Sequence, residues 1–419
     1  MTTSEPADRP ARIPDRSWLE EPGVAAVFAA LNRDGDSVRA VGGAVRDALI
    51  GRPFREVDFA TTAEPAMVEA RAKAAGIKTV PTGIEHGTVT LVVHGRAFEV
   101  TTLREDVETD GRHAVVKFGR DWTADALRRD FTFNALSVEA DGTLHDPAGG
   151  YADLVARRVR FIGDPDTRIA EDRLRILRFF RFHAELGAGE PDRAALAAAI
   201  RGRQGITALS AERIGHEMRR LVVAPGAADT LVVMQDAGVL PIVLGGVAYP
   251  GALRRLVALE AATRQAPAVP LRLAALACRI AEDVWRLADR FRLSNAERDA
   301  MLAAVDGARH FIEPPAEREA RILLYRLGPA GYSGAVALAA AWGSGPVDAW
   351  RDSASLPARW TAPVFPLSGR DLIAAGLRPG PELGAILKDL ESWWITEDFA
   401  PEKSVLLNRF QQRIAAAQQ

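Results

Sequence analysis

A chain of 419 residues, 48% hydrophobic and 26% charged, has the composition of an ordinary globular protein with apolar side chains for about two to four cores. The formal net charge of −2 excludes a protein that coats nucleic acid indiscriminately, so any RNA contact has to be local. The single cysteine, Cys278, excludes a disulfide framework or a cysteine-built zinc site, and the absence of an apolar run of about 18 residues or a signal-like leader makes the cytosol the expected compartment, with no membrane partner.

Met1 to Pro14 mixes Pro, Ser, Thr and charges without periodicity and is expected to be a disordered leader. From there to about Asp146, short β-type runs alternate with helical ones, which predicts an α/β or α+β domain. Ser37 to Val41 reads as a strand, Val45 to Leu49 as the start of a helix, Val57 to Ala60 as a strand and Ala66 to Ala75 as a helix. Thr88 to Val93 and Arg96 to Thr101 read as a hairpin turning at His94-Gly95. Leu103 to Trp122 is polar and weakly periodic, and reads as a long functional loop. From about Ile169 onward the Ala-, Leu- and Arg-rich pattern is helical, with breaks at Gly187 to Pro191, Ala224 to Ala227, Gly245 to Gly251 and Glu313 to Pro315.

Two constellations in the first part carry chemistry. Val41-Gly42-Gly43-Ala44-Val45-Arg46-Asp47 follows a strand and opens a helix, where paired glycines let backbone N–H groups approach a phosphate and Arg46 adds a forked donor. In Arg55-Glu56-Val57-Asp58, Glu56 and Asp58 lie two apart on a strand, so both carboxylates project from one face and can share hard cations such as Mg²⁺. Two such ions can activate an attacking hydroxyl and neutralise a leaving pyrophosphate. Each feature alone also fits an ordinary turn or an exposed edge; their order within one strand-helix-strand unit selects the phosphate reading. In Arg128-Arg129-Asp130-Phe131-Thr132-Phe133-Asn134, Arg129 can clamp a triphosphate or sugar oxygen, while Asp130 and Asn134 can accept from ribose hydroxyls or orient the arginines.

The segment Arg157 to Arg181 is the richest in basic residues, with eight Arg against four Asp and Glu. Within it, Glu171-Asp172-Arg173-Leu174-Arg175 leads into Arg178, and a helix there would place Asp172, Arg175 and Arg178 on one arc opposite Ile176, Leu177 and Phe180. A carboxylate one turn from a guanidinium is usually an ion pair of a few tenths of a kcal/mol. It can also read a base. Cytosine and adenine each offer an amino donor beside a ring-nitrogen acceptor, which an Asp172 acceptor beside an Arg175 donor matches; uracil and guanine would leave buried groups unpaired.

Taken in this order, the three constellations resemble the CCA-adding tRNA nucleotidyltransferases of the bacterial and eukaryotic class and the related bacterial poly(A) polymerases, over roughly Arg39 to Leu221. The resemblance implies an α/β polymerase-β-like nucleotidyltransferase head followed by an all-helical neck, body and tail. It implies the head at 15–150, the neck with its base-reading motif at 151–225, and the tRNA-binding body and tail at 226–419. The family's nucleotide-contacting positions map onto Gly42, Gly43, Arg46, Arg129, Asp172, Arg175 and Arg178, with Glu56 and Asp58 as the metal-holding catalytic pair and Asp130 beside them. The implied partners are the tRNA 3′ end, CTP and ATP, with Mg²⁺ as cofactor and no obligate protein partner. Ser210-Ala211-Glu212-Arg213-Ile214, with Glu217 a turn later, resembles the motif that supports the base-reading helix.

The family commonly carries Asp-x-Asp where this chain has Glu56-Val57-Asp58, a change of one methylene in the ligating arm. Glu99 is either a third active-site carboxylate or an exposed strand residue. The seven histidines read as structural or surface residues, and Trp342, Trp350, Trp360, Trp393 and Trp394 as core packing rather than stacking on tRNA. The alternatives within this chemistry are a bacterial poly(A) polymerase and a partial enzyme adding only CC or only A; the alternative of another class is a non-catalytic RNA-binding protein.

Overall fold

The computed structural model describes residues 9–80, 83, 87–106 and 116–417. The chain divides into two compact units, Met1–Gly246 and Val247–Gln419.

The first unit opens with α1 (Pro22–Leu31), started by Pro22 in its first turn, which buries Val24, Val27, Phe28 and Leu31. Then come β1 (Val38–Val41), α2 (Gly43–Leu49), β2 (Asp58–Thr61), α3 (Pro65–Ala74), β3 (Lys78–Val80), β4 (Thr88–Val93) and β5 (Arg96–Thr102). The β4–β5 hairpin turns at His94 and Gly95 with φ of 49° and 78°, the left-handed pair that tight two-residue turns require. Next are β6 (Arg104–Asp106), β7 (Val116–Phe118), α4 (Trp122–Leu127), β8 (Ser137–Val138) and β9 (Leu144–His145). Seven strands form one mixed sheet in the order β3-β4-β5-β2-β1-β8-β9, with β2 parallel to β5 and its other ladders antiparallel.

Two expectations need correction here. The stretch from Leu103 to Trp122 is not a plain loop: β6 and β7 pair as a two-stranded antiparallel ribbon, with Arg104 opposite Phe118. Residues 107–115, which include the expected Asp110-Gly111-Arg112-His113 tip, lie outside the described residues. The end of the expected leader is also ordered, because Ile13, 2% exposed, donates its N–H to Gly142 O and Ala11 O accepts from Leu144, adding a short pairing beside β9. Residues 1–8 lie outside the described residues.

After α5 (Gly150–Val155) and α6 (Pro165–Glu171) come α7 (Leu174–Leu186), α8 (Arg193–Gly202), α9 (Ala211–Val223), α10 (Ala227–Asp236) and α11 (Leu240–Leu244). The helices join the sheet through an aromatic core in which Phe131 meets Phe161 at 4.7 Å and Phe182 at 5.3 Å between ring centroids. Gly226 donates to Ala184 O of α7 and seats α10 on that helix.

The second unit is helical throughout: α12 (Pro250–Thr263), α13 (Val269–Ala277), α14 (Ala281–Phe291), α15 (Asn295–Ala308), α16 (Glu317–Trp342), α17 (Arg351–Arg359), α18 (Gly369–Ala374), α19 (Glu382–Thr396) and α20 (Lys403–Ala417), apart from short 3₁₀ turns and loops. A Ser294–Glu297 capping box starts α15, and Gly328 at φ 69° ahead of Pro329 kinks α16. Trp350 and Trp394 are buried, the latter among Leu372, Leu390, Leu406 and Phe410. Trp342, Trp360 and Trp393 are half-buried.

Candidate active site

Cross-strand register brings the acidic residues together. Val57 and Phe59 are buried, so alternation turns Glu56 and Asp58 outward on the same side. The strand itself starts at Asp58, which leaves Glu56 in the extended segment before it rather than on it. Phe59 pairs with Val100 in parallel register, which puts Glu99 beside Asp58. The Asp58 carboxylate accepts no hydrogen bond among the described residues. Its pKa is pushed up by burial first, then by the charges of Glu99 and Glu56, against the opposing pull of Arg129. Such a carboxylate gains from a cation. Among the described residues no three Asp, Glu, His or Cys side chains form a ready-made metal cage, so an ion here would rest on the Glu56–Asp58 pair with oxygens from substrate or water.

Gly42 lies opposite the same carboxylate. It caps α2 at φ 72° and ψ −134°, and a Cβ there would stand 3.8 Å from Asp58 Oδ2. Gly43 follows as the first helical residue. Arg46, one turn on, is 8% exposed; its Nε and Nη2 bond both oxygens of Asp47 at 2.9 and 3.0 Å, and its guanidinium lies 5.4 Å from the Phe182 ring.

The second constellation forms the adjoining wall. Arg129 donates to Asn134 O at 3.2 Å and to Asp125 Oδ2 at 3.3 Å. Asp130 is a buried hub whose Oδ1 accepts from Phe131 N and Asn134 Nδ2, both at 2.9 Å, while Oδ2 accepts from Arg178 Nε at 2.6 Å. Burial opposes its charge, yet Arg178, Asn134 and the Phe131 N–H outweigh it and hold the carboxyl below the usual range. The same pairing keeps Arg178 firmly protonated despite its burial.

These groups enclose a cleft of about 580 Å³ lined by Gly42, Gly43, Arg46, Glu56, Asp58, Arg129, Asp130, Asn134 and Arg178. Sequence reasoning missed further members, among them Arg181, Phe182 and Arg220. Arg181, 1% exposed, is fixed by Glu217 at 2.5 Å and Glu185 at 2.9 Å, and its guanidinium lies 3.9 Å from the Phe182 ring. Arg220 pairs with Glu185 at 3.3 Å, and its pKa is lowered by burial and then by Arg181 against the pull of Glu185 and Glu217. The signal was available: Arg178 and Arg181, and Glu217 and Arg220, are each three apart on a helix and so share a face.

Asp172 and Arg175 do not line this cleft. The expected continuous helix is broken between them: Asp172 ends α6 with extended dihedrals of φ −150° and ψ 110°, and α7 begins at Leu174. The break is local, since Asp172 Oδ1 accepts from Leu174 N at 3.0 Å as the new helix starts. Asp172 Oδ2 bonds Arg213 at 2.7 Å, whereas Arg175 bonds Glu171 and the carbonyl of Arg168. Arg175 and Arg178 do share α7, and Ile176, Leu177 and Phe180 are buried as expected.

The chain resembles known proteins along most of its length. Residues 38–160 match the poly A polymerase head domain, which spans the glycine turn, the carboxylates and Arg129. The chain is 35% identical over 386 residues to the mitochondrial CCA tRNA nucleotidyltransferase 1 of Danio rerio, covering 90% of this chain and 87% of that one. It is 32% identical over 378 residues to the CCA-adding enzyme of Levilactobacillus brevis, covering 88% and 91%. The crystal structure of the Bacillus stearothermophilus CCA-adding enzyme in complex with CTP superimposes with a TM-score of 0.73 at 27% identity, over 94% of this chain and 98% of that one. With a mixed-sheet head, a helical remainder and relatives along nearly its whole length, the chain belongs to the CCA-adding tRNA nucleotidyltransferases.

Proposed function

We infer that this protein adds CCA to the 3′ end of tRNA without a nucleic-acid template, using CTP and ATP and releasing pyrophosphate. The observation that carries the reading is the cleft itself, where the unpartnered carboxylate of Asp58 faces Arg46, Arg129, Arg178 and Arg220. An acidic pair and a ring of guanidinium groups in one cleft suit an attacking hydroxyl and a polyphosphate leaving group. The tRNA 3′ hydroxyl attacks the α-phosphate of CTP, twice, and then of ATP.

The family generally uses a divalent metal, and we assign Mg²⁺ to Glu56 and Asp58, with Glu99 as a flanking third carboxylate. The ion, when bound, lowers the pKa of the attacking hydroxyl and neutralises charge on the leaving group. Arg46, Arg129 and the Gly42-Gly43 turn hold the triphosphate and sugar, Asp130 and Asn134 hold Arg178 and Arg129 in place, and Arg178 carries charge between them and the base. Asp172 and Arg175 read the base by exchanging their bonds to Arg213 and Glu171 for the donor-acceptor edge of C or A. We place the head at 15–150, the base-reading neck at 151–225 and the tRNA-holding body and tail at 226–419. Among the described residues no helix is long and apolar enough to cross a membrane, and we assign the protein to the cytoplasm.

The test is to incubate tRNAs ending before CCA, at C and at CC with CTP, ATP and Mg²⁺ and to sequence the 3′ ends. Products all ending in CCA support the reading. Poly(A) tails, or a halt at CC, would select one of the partial or poly(A) alternatives instead.

A further inference from the structure

Beside the cleft lies a second cavity of about 520 Å³ on the same side of the sheet, with Arg129 in the wall of both. The register explains why they share a face. Asp58 stands opposite Val41, Val41 opposite Ser137, and Ser137 opposite His145, so one row of side chains crosses β2, β1, β8 and β9. Ser137 is two strands from Asp58, about 10 Å at the usual strand spacing. That is within the reach of one nucleotide from the reacting centre.

The cavity is lined by Arg9, Arg39, Arg129, Trp122, Ser137 and His145 among others. Its carboxylates are already spent. Asp125 holds Arg128 at 2.8 Å and Arg129 at 3.3 Å, and Asp146 accepts from the N–H groups of Gly150 and Tyr151 at 2.6 and 3.0 Å. One carboxylate, Glu139, serves both Arg39 at 3.1 Å and His145 at 2.8 Å. Arg39 lies 4.2 Å from the Trp122 ring, and its buried Nε has no hydrogen-bond partner among the described residues. A buried guanidinium N–H left unpaired is costly, and an anion would satisfy it. The cavity therefore offers arginine donors and a hydroxyl in excess of acceptors.

We propose that this cavity is a second phosphate-binding subsite, which takes a phosphate group adjacent to the reaction centre. The proposal rests on the transferase reading above. Two sources share the chemistry: the leaving pyrophosphate, passed across Arg129, or a backbone phosphate of the tRNA acceptor strand.

The full-length protein decides it, in variants Arg39→Gln, His145→Gln and Arg9→Gln, with inorganic pyrophosphate as the probe. If the subsite takes the leaving group, calorimetry of the unaltered protein finds two pyrophosphate sites and the variants keep one. Inhibition by pyrophosphate at saturating CTP is then lost, while KM for tRNA stays unchanged. If it takes the acceptor strand, pyrophosphate binds once in every protein. KM for tRNA then rises about three- to tenfold and its salt dependence flattens by about one counterion. A single pyrophosphate site together with unchanged tRNA KM in all three variants overturns the proposal. Arg9 and His145 lie at the rim, so they carry the decision if Arg39→Gln lowers the melting temperature, and Arg39→Lys should restore binding. Because calorimetry needs no turnover, failure of CCA addition by the unaltered protein would count against the transferase reading and leave the subsite measurement standing.

Discussion

Arg178 Nε lies 2.6 Å from Asp130 Oδ2, a charge-assisted bond that spans 48 positions of sequence and ties helix α7 to the turn bearing Arg129. Replacing Asp130 by Asn removes the charge that holds Arg178 and should cost about 1.5–3 kcal/mol at neutral pH. The sign of its pH dependence follows from a carboxyl held below its ordinary value. Such a group stabilises the fold above its unfolded pKa of about 3.9 and loses that contribution as pH falls through the folded value. Urea unfolding should therefore show the wild-type advantage over Asp130→Asn at pH 7 and a narrowing gap below about pH 4. An equal gap at both pH values would refute the assignment.

Asp58 has the opposite sign. Its pKa is raised by burial, Glu99 and Glu56, so folding disfavours its charge and stability falls as pH rises through its folded value. Without divalent metal, Asp58→Asn should melt higher than wild type at pH 7, and added Mg²⁺ should raise the melting temperature of wild type only. Nucleotide incorporation by Asp58→Asn or Asp58→Ala should fall about a thousandfold or more, while Glu56→Asp retains it. Glu99→Gln removes a neighbouring negative charge and should move the acid limb of the rate profile to lower pH. A profile unchanged by Glu99→Gln would exclude the third-carboxylate role.

Most of the head was legible because its signals are local. The His94-Gly95 turn, the glycine step at Gly42 and the alternation around Asp58 depend on backbone preferences a few residues long. What the sequence hid was partnership at a distance. Nothing near Asp172 announces that Arg213 would take its carboxylate, or that the helix would restart at Leu174. The β6–β7 ribbon reads as a loop in the sequence because three-residue strands are too short for a period to register. The nearness of Glu99 to Asp58 is not legible locally, because it comes from the parallel register of β5 with β2.

If Asp172 and Arg175 read the base as proposed, the Asp172–Arg213 bond makes base selection separable from catalysis. Single-nucleotide incorporation with all four NTPs should show Asp172→Ala and Arg175→Ala losing both rate and discrimination against UTP and GTP, since each supplies half of the code. Arg213→Ala should instead keep discrimination, because it removes only the partner that Asp172 gives up. If Asp172→Ala and Arg175→Ala still exclude UTP and GTP, the pair is an ordinary structural element.

Gly150 starts α5 where a Cβ would stand 2.2 Å from Thr132 O, a backbone atom that cannot swing aside. Gly150→Ala should lose about 1–3 kcal/mol in thermal or denaturant unfolding. Because Thr132 follows Phe131 in the Arg129 to Asn134 segment, KM for nucleotide should rise too. Gly149→Ala is the control: no atom lies within 4 Å of its Cβ, so its cost comes only from φ 68°.

The ribbon leads to the cleft through a short chain of contacts. Arg104 N, at the root of β6, donates to Asp125 Oδ1 at 3.3 Å, and Asp125 Oδ2 in turn holds Arg129 at 3.3 Å. Leu103 packs with Val41, Ala60 and Trp122 immediately beneath, so the root is anchored on the catalytic face. Adding C twice and then A in one pocket requires the pocket to change, because adenine is larger and presents its amino group at a different distance. A segment rooted on Asp125 can impose that change by altering how Arg129 is held. Replacing residues 107–115 by a short Gly-Ser linker keeps both strands and their anchor, and should leave CC addition near wild type while products stall before the final A. Asp125→Asn, which loosens the link at its root, should slow A addition more than C addition. A shortened protein that completes CCA at the parental rate would refute the lever. Equal loss of CTP and ATP addition, with a lowered melting temperature, would show that the linker had damaged the sheet.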